Sequence, residues 1–144
     1  MSSVRRFAVC LLASVGLLLV SGSPASAVIT PGVPFTVQLS GAAEVPGPGD
    51  PDGSGTATVT VNPGLGEVCW SIDVTGVEPI SAAHIHKAPS TTTGPVVVTL
   101  SPDTGCTTVD RDLALDIVLH PSSYYVNVHN EPYPAGALRG QLDR

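Results

Sequence analysis

Apolar and polar residues alternate one by one along much of the chain, as they do in strands with one buried face. Phe35-Thr36-Val37-Gln38-Leu39 follows this period, and Thr56 to Val61 repeats it. Val68, Trp70, Ile72 and Val74 then alternate with Cys69, Ser71, Asp73 and Thr75. Asn62-Pro63-Gly64-Leu65-Gly66 has the composition of a turn, so the segments on either side of it are expected to form a hairpin. Further strands are expected at Ala82 to Lys87, at the β-branched run Val96 to Leu100, at Tyr124 to His129 and within Gly136 to Leu142. Gly41 to Gly55, Ala88 to Gly94 and Ser101 to Thr107 read as loops. One segment has a helical pattern. Asp110-Arg111-Asp112 suits a helix start, Leu113 and Ile117 share a face, and Pro121 stops it. About seven strands, turn signals at roughly ten-residue spacing and one short helix predict an all-β, antiparallel Greek-key sandwich.

Two of these strands carry the candidate chemistry. In an extended chain, residues two apart point to the same side. Ala83 and Ile85 would face the core while His84 and His86 face away from it. Likewise Tyr124, Val126 and Val128 form one face, and Tyr125, Asn127 and His129 the other. Side by side, the two strands would bring three imidazoles together. Three neutral histidines suit zinc or copper, with water or a carboxylate as fourth ligand, and Glu44 and Glu131 are the candidate carboxylates. The competing reading is a hydrogen-bonded polar cluster that ties the strands together. Arg139 interrupts the apolar pattern of the last strand; Glu44, Asp73 or the histidine face are its expected partners. His120 precedes Pro121, where a cation suits a helix end.

Other site chemistry is excluded by spacing. Asp50-Pro51-Asp52-Gly53-Ser54-Gly55 fails the EF-hand pattern, because Val61 stands where the bidentate glutamate belongs. Serine-nucleophile motifs, phosphate-cradling glycine loops and Cys-x-x-Cys pairs are absent from the sequence, and no asparagine opens an Asn-x-Ser/Thr acceptor.

The start of the chain bears on its address. Arg5-Arg6 precedes an apolar run, Phe7 to Val20, that is short for a membrane span. Small residues follow, ending Ala25-Ser26-Ala27. This predicts a secretory signal peptide over residues 1–27, leaving one domain and no membrane span in the mature chain. Cleavage would take the formal net charge from −6 to −8, with four basic residues against twelve acidic ones. That acidity argues against nucleic acid and anionic membrane as partners. Cys69 and Cys106 remain, and two cysteines in an exported domain are expected to pair. A metal role for these thiols is the weaker alternative.

Several motifs occur in order: Leu39-Ser40-Gly41-Ala42-Ala43-Glu44-Val45-Pro46, Ala83-His84-Ile85-His86, Gly94-Pro95-Val96-Val97-Val98, Tyr124-Tyr125-Val126-Asn127-Val128-His129 and Gly136-Ala137-Leu138-Arg139-Gly140-Gln141-Leu142. Together they resemble the CHRD (chordin) domain over residues 34–142. The resemblance implies the β-sandwich of copper/zinc superoxide dismutases and related immunoglobulin-like folds. It makes Glu44, Asn127 and Arg139 family-motif positions, and the Cys69/Cys106 pair is similar to that of bacterial members. In chordin the domain serves a multidomain extracellular antagonist of growth factors. A single copy without companion cysteine-rich domains does not inherit that role. The expectation is therefore a secreted, non-enzymatic binding or surface module whose ligand is an extracellular protein, a polymer or a metal ion. A copper- or zinc-dependent redox enzyme is the alternative, resting on fold analogy alone. An immunoglobulin-like adhesion domain ranks last, because Trp70 directly follows Cys69 instead of standing apart from it.

Overall fold

A computed structural model describes residues 31–143. The expected signal peptide lies outside the described residues. Eight strands run in chain order: β1 (Val33–Ser40), β2 (Ser54–Asn62), β3 (Glu67–Thr75), β4 (Ala82–Lys87), β5 (Val96–Leu100), β6 (Thr104–Thr108), β7 (Tyr124–His129) and β8 (Leu138–Gln141). A single α-helix, α1 (Arg111–Leu119), lies between β6 and β7, and short 3-10 turns occupy Gly41–Ala43 and Pro121–Ser123. The described chain is thus all-β with one short helix. Its strands form one antiparallel sheet in the order β5-β4-β7-β8-β1-β2-β3-β6, curled nearly into a barrel.

The expected hairpin is β2–β3, with Val59 opposite Trp70 and Val61 opposite Val68. One expectation needs correcting: residues 104–108 form strand β6 and not a loop. Their sequence, Thr-Gly-Cys-Thr-Thr, has no apolar face because β6 is an edge strand, paired only with β3. The pairing sets Cys106 directly opposite Cys69, and the two form the expected disulfide.

Alternation builds the core. Phe35, Val37 and Leu39 from β1, Val59 and Val61 from β2, and Val68 and Trp70 from β3 are buried together with Ala83, Ile85, Val126, Val128 and Leu138 from the other strands. Full burial of a side chain such as Phe35 contributes about 1.5–3 kcal/mol. Trp70 satisfies its indole by donating Nε1–H to the Ser101 carbonyl at 3.1 Å. Helix α1 starts as expected: the Asp110 side chain accepts from the Asp112 backbone N–H at 2.7 Å. It buries Ala114, Ile117 and Val118.

Asp116 anchors the helix to the sheet. It accepts from Lys87 Nζ at 2.7 Å, from His120 Nδ1 at 2.8 Å and from the Tyr124 hydroxyl. These donors hold its carboxyl well below the usual range. His120 is therefore a helix-end residue, as its place before Pro121 implied.

β8 closes the curl against β1 through a single register pair, Ser40 with Arg139. On the other side it pairs with β7, where Asn127 faces Arg139 and Tyr125 faces Gln141. β7 also pairs with β4, so that His84 faces Asn127 and His86 faces Tyr125. Residues opposite one another in a ladder share a face. His84, His86, Tyr125, Asn127, Arg139 and Gln141 therefore form one polar patch on the side of the sheet away from the core.

Candidate metal centre

The three expected histidines meet. One ring nitrogen from each of His84, His86 and His129 lies within 4.8 Å of the other two. Strand pairing produces this arrangement. His84 and His86 are two apart on β4, and His129 sits opposite Ala82, which makes it the diagonal neighbour of His84. His84 Nδ1 is 3.2 Å from His129 Nε2. Two nitrogens bound to one tetrahedral zinc, each about 2.0–2.1 Å from it, would be about 3.3 Å apart.

The tautomers follow from the partners, because a carbonyl oxygen can only accept. His86 donates Nδ1–H to the Gly94 carbonyl at 2.9 Å, and His129 donates Nδ1–H to the Pro134 carbonyl at 3.1 Å. Each ring is left with a lone pair on Nε2. Between the two rings, His84 Nδ1–H donates to the Nε2 of His129. The Nε2 of His86 is buried and has no hydrogen-bond partner. Carbonyl-anchored imidazoles with the other nitrogen free are the usual arrangement of metal-ligating histidine.

Electrostatics favours the neutral rings that a cation needs. His84 is held below the ordinary imidazole value of 6.5, chiefly by desolvation and then by repulsion from His129 and His86. His129 is lowered as well, again chiefly by desolvation, which outweighs the opposing hydrogen bond to Pro134.

The two carboxylates proposed as fourth ligands do not join the cluster. Glu131 is exposed in the loop after β7, and neither it nor Glu44 belongs to the grouped ligand atoms. Glu44 instead turns inward beside the cluster. Its Oε1 accepts from Asn127 Nδ2 at 2.5 Å, and Gly136, at φ +153°, leaves room for the carboxyl: a Cβ there would lie 2.5 Å from Oε2. Burial pushes the Glu44 carboxyl up to about 7, against the opposing pull of the Arg139 charge.

Arg139 is also placed differently from expectation. It forms no ion pair with Glu44 or Asp73 among the described residues. Arg139 is 1% exposed, and its guanidinium donates to the Thr92 carbonyl at 2.9 Å and the Pro89 carbonyl at 2.8 Å. It also lies 3.5 Å from the centroid of the Tyr125 ring. The Tyr125 ring in turn stacks on His86, with centroids 4.8 Å apart and planes 7° from parallel. Bracing the histidine face was one of the roles expected of Arg139, and this contact supplies it.

Sequence reasoning missed the part played by Tyr125 and Gln141. Tyr125 was assigned to the polar face, yet it is 3% exposed because the loop between β4 and β5 covers it. Gln141 donates to the Ala88 carbonyl at 2.8 Å and to the Ser122 carbonyl at 2.7 Å, pinning that loop. The available signal was the period itself: Tyr125 and Gln141 fall on the same face as His86. Asp50, at the head of the segment that fails the EF-hand pattern, makes a local turn, its Oδ1 accepting from the Asp52 N–H at 3.1 Å.

Fold and site together define an antiparallel β-domain with a half-buried, three-imidazole cluster on its polar face. The chain belongs to the CHRD domain family, whose model matches residues 35–142. Neither a curated protein nor a solved structure matches it.

Proposed function

We propose that this CHRD domain binds one zinc or copper ion through His84, His86 and His129, as a non-enzymatic module exported from the cell. The buried, partnerless Nε2 of His86 carries this reading. A buried polar atom without a partner is costly, and a metal ion would relieve that cost. Burial lowers the pKa of His84 and His129, which favours their neutral forms, and His86 and His129 are oriented by backbone carbonyls. Export is supported by the Cys69–Cys106 disulfide and by the leader pattern of residues 1–27. No helix among the described residues is long and apolar enough to cross a membrane.

Calorimetric titration of residues 28–144 with zinc and with copper(II) tests the proposal. One ion per chain is expected, at micromolar affinity or tighter, with the heat lost in His84→Ala. Absence of binding by the folded wild type overturns it.

A further inference from the structure

A buried arginine without a carboxylate partner is an expensive feature, since desolvation of a charge is offset only by well-made contacts. Among the described residues Arg139 has no carboxylate in ion-pair contact; it donates to Gln141 Oε1 at 3.4 Å, and its contacts with the Pro89 and Thr92 carbonyls and with the Tyr125 ring lead to His86. We infer that Arg139 is a positioning residue that fixes the orientation and tautomer of His86. The inference rests on the metal-binding reading and extends it to a residue that touches no metal.

Two routes connect them. The first runs through the ring of Tyr125. Strand order places β7 between β4 and β8, so His86 flanks that ring from one side and Arg139 from the other. The guanidinium lies 3.5 Å from the ring centroid, and the imidazole is nearly parallel to it at 4.8 Å. A cation held on an aromatic face fixes the ring, and the ring fixes the plane of the imidazole stacked upon it.

The second route runs through the loop between β4 and β5. Arg139 grips its carbonyls at Pro89 and Thr92. The loop then closes at Gly94, packed so tightly on the end of β4 that a Cβ there would sit 1.9 Å from the Lys87 carbonyl oxygen. Gly94 presents the carbonyl that takes Nδ1–H from His86, and its N–H reaches the Tyr125 hydroxyl at 3.4 Å. One side chain thus governs both the plane of His86 and the acceptor that reserves its Nε2. Lysine cannot replace it, because it lacks the planar fork that serves two carbonyls and a ring face at once.

Arg139→Lys, Tyr125→Leu and Tyr125→Phe test the inference. The readouts are imidazole nitrogen resonances in the metal-free protein and zinc affinity by chelator competition. In Arg139→Lys and Tyr125→Leu, His86 should pass from one tautomer to a mixture, while His129, anchored on Pro134, keeps its own. Zinc affinity should fall roughly 10–100-fold, as expected for loss of an outer-layer partner. Tyr125→Phe keeps the ring but gives up the hydroxyl that the Gly94 N–H reaches, so it should change both readouts less than Tyr125→Leu. A folded Arg139→Lys with a single His86 tautomer and unchanged affinity overturns the inference. If that variant does not fold, an unchanged His86 in Tyr125→Leu overturns it instead. A wild type that binds no zinc sinks the metal reading alone, since the metal-free resonances still decide what Arg139 does.

Discussion

In the half of the sheet made by β1, β2, β3 and β6, side chains alternate between core and solvent. Phe35, Val37 and Leu39 are buried while Thr36 and Gln38 are exposed, and Ile72 is buried between exposed Ser71 and Asp73. In the half made by β5, β4, β7 and β8, the outward side is covered too on β7 and β8. Every residue from Tyr124 to Val128 is buried, and on β8 Arg139 is as enclosed as its neighbour Leu138. The first half is held by apolar burial and by a disulfide between β3 and β6, strands that carry none of the three histidines. The second buries a carboxyl, an amide and a guanidinium under two loops. Burial of polar groups adds little net stability, so the contrast separates a half held almost wholly by apolar burial from one that adds a covered polar face beside the histidines.

The sharpest way to break that division is to damage each half and read both properties. Phe35→Ala should cost about 3–5 kcal/mol in denaturant unfolding and leave zinc affinity of the folded protein unchanged. Replacing Cys69 and Cys106 with serine should cost about 2–4 kcal/mol while calorimetry still finds one ion per chain. Both substitutions lie in the first half, and a loss of binding in either would erase the distinction. In the second half the effects should reverse. His86→Ala should weaken zinc binding about 100-fold, equivalent to about 2.7 kcal/mol, with unfolding free energy changed by no more than about 1 kcal/mol.

The smallest effect concerns pH. Glu44 is raised from 4.5 to about 7 by burial, so its protonated form is the one the fold favours. Its contribution to stability is full below the unfolded value and is lost as pH rises through the folded one. Glu44→Gln removes that loss. Its stability relative to wild type should therefore rise between about pH 5 and about pH 8, as measured by urea unfolding. His84 and His129 act with the opposite sign. Their lowered values mean that acidification below the ordinary 6.5 favours the unfolded chain, which binds more protons.

The strands with a strict period were legible in the sequence, because alternation and burial are the same fact in β1, β2 and β3. The meeting of His84, His86 and His129 was legible for the same reason, once β4 and β7 were taken as neighbours. β6 was not, since an edge strand of threonine and glycine carries no apolar face; only Cys106, paired with a residue of β3, hinted at it. The loop over Tyr125 was also hidden. Its backbone carbonyls at Ala88, Pro89, Thr92 and Gly94 accept from Gln141, Arg139 and His86, and carbonyls leave no trace in residue identity. For that reason the Pro89 and Thr92 carbonyls could not be foreseen as partners of Arg139, whose charge acts on Glu44 without an ion-pair contact.

The lone register pair joining β8 to β1 has a kinetic corollary. A junction secured at one rung is where a curled sheet would breathe first, well before global unfolding. Arg139 belongs to that rung, so each opening would also slacken its grip on the loop and on the Tyr125–His86 stack. Residence time of a bound ion would then track the lifetime of the closed seam, and amide hydrogens around Ser40 and Arg139 should exchange faster than those of the β2–β3 ladder.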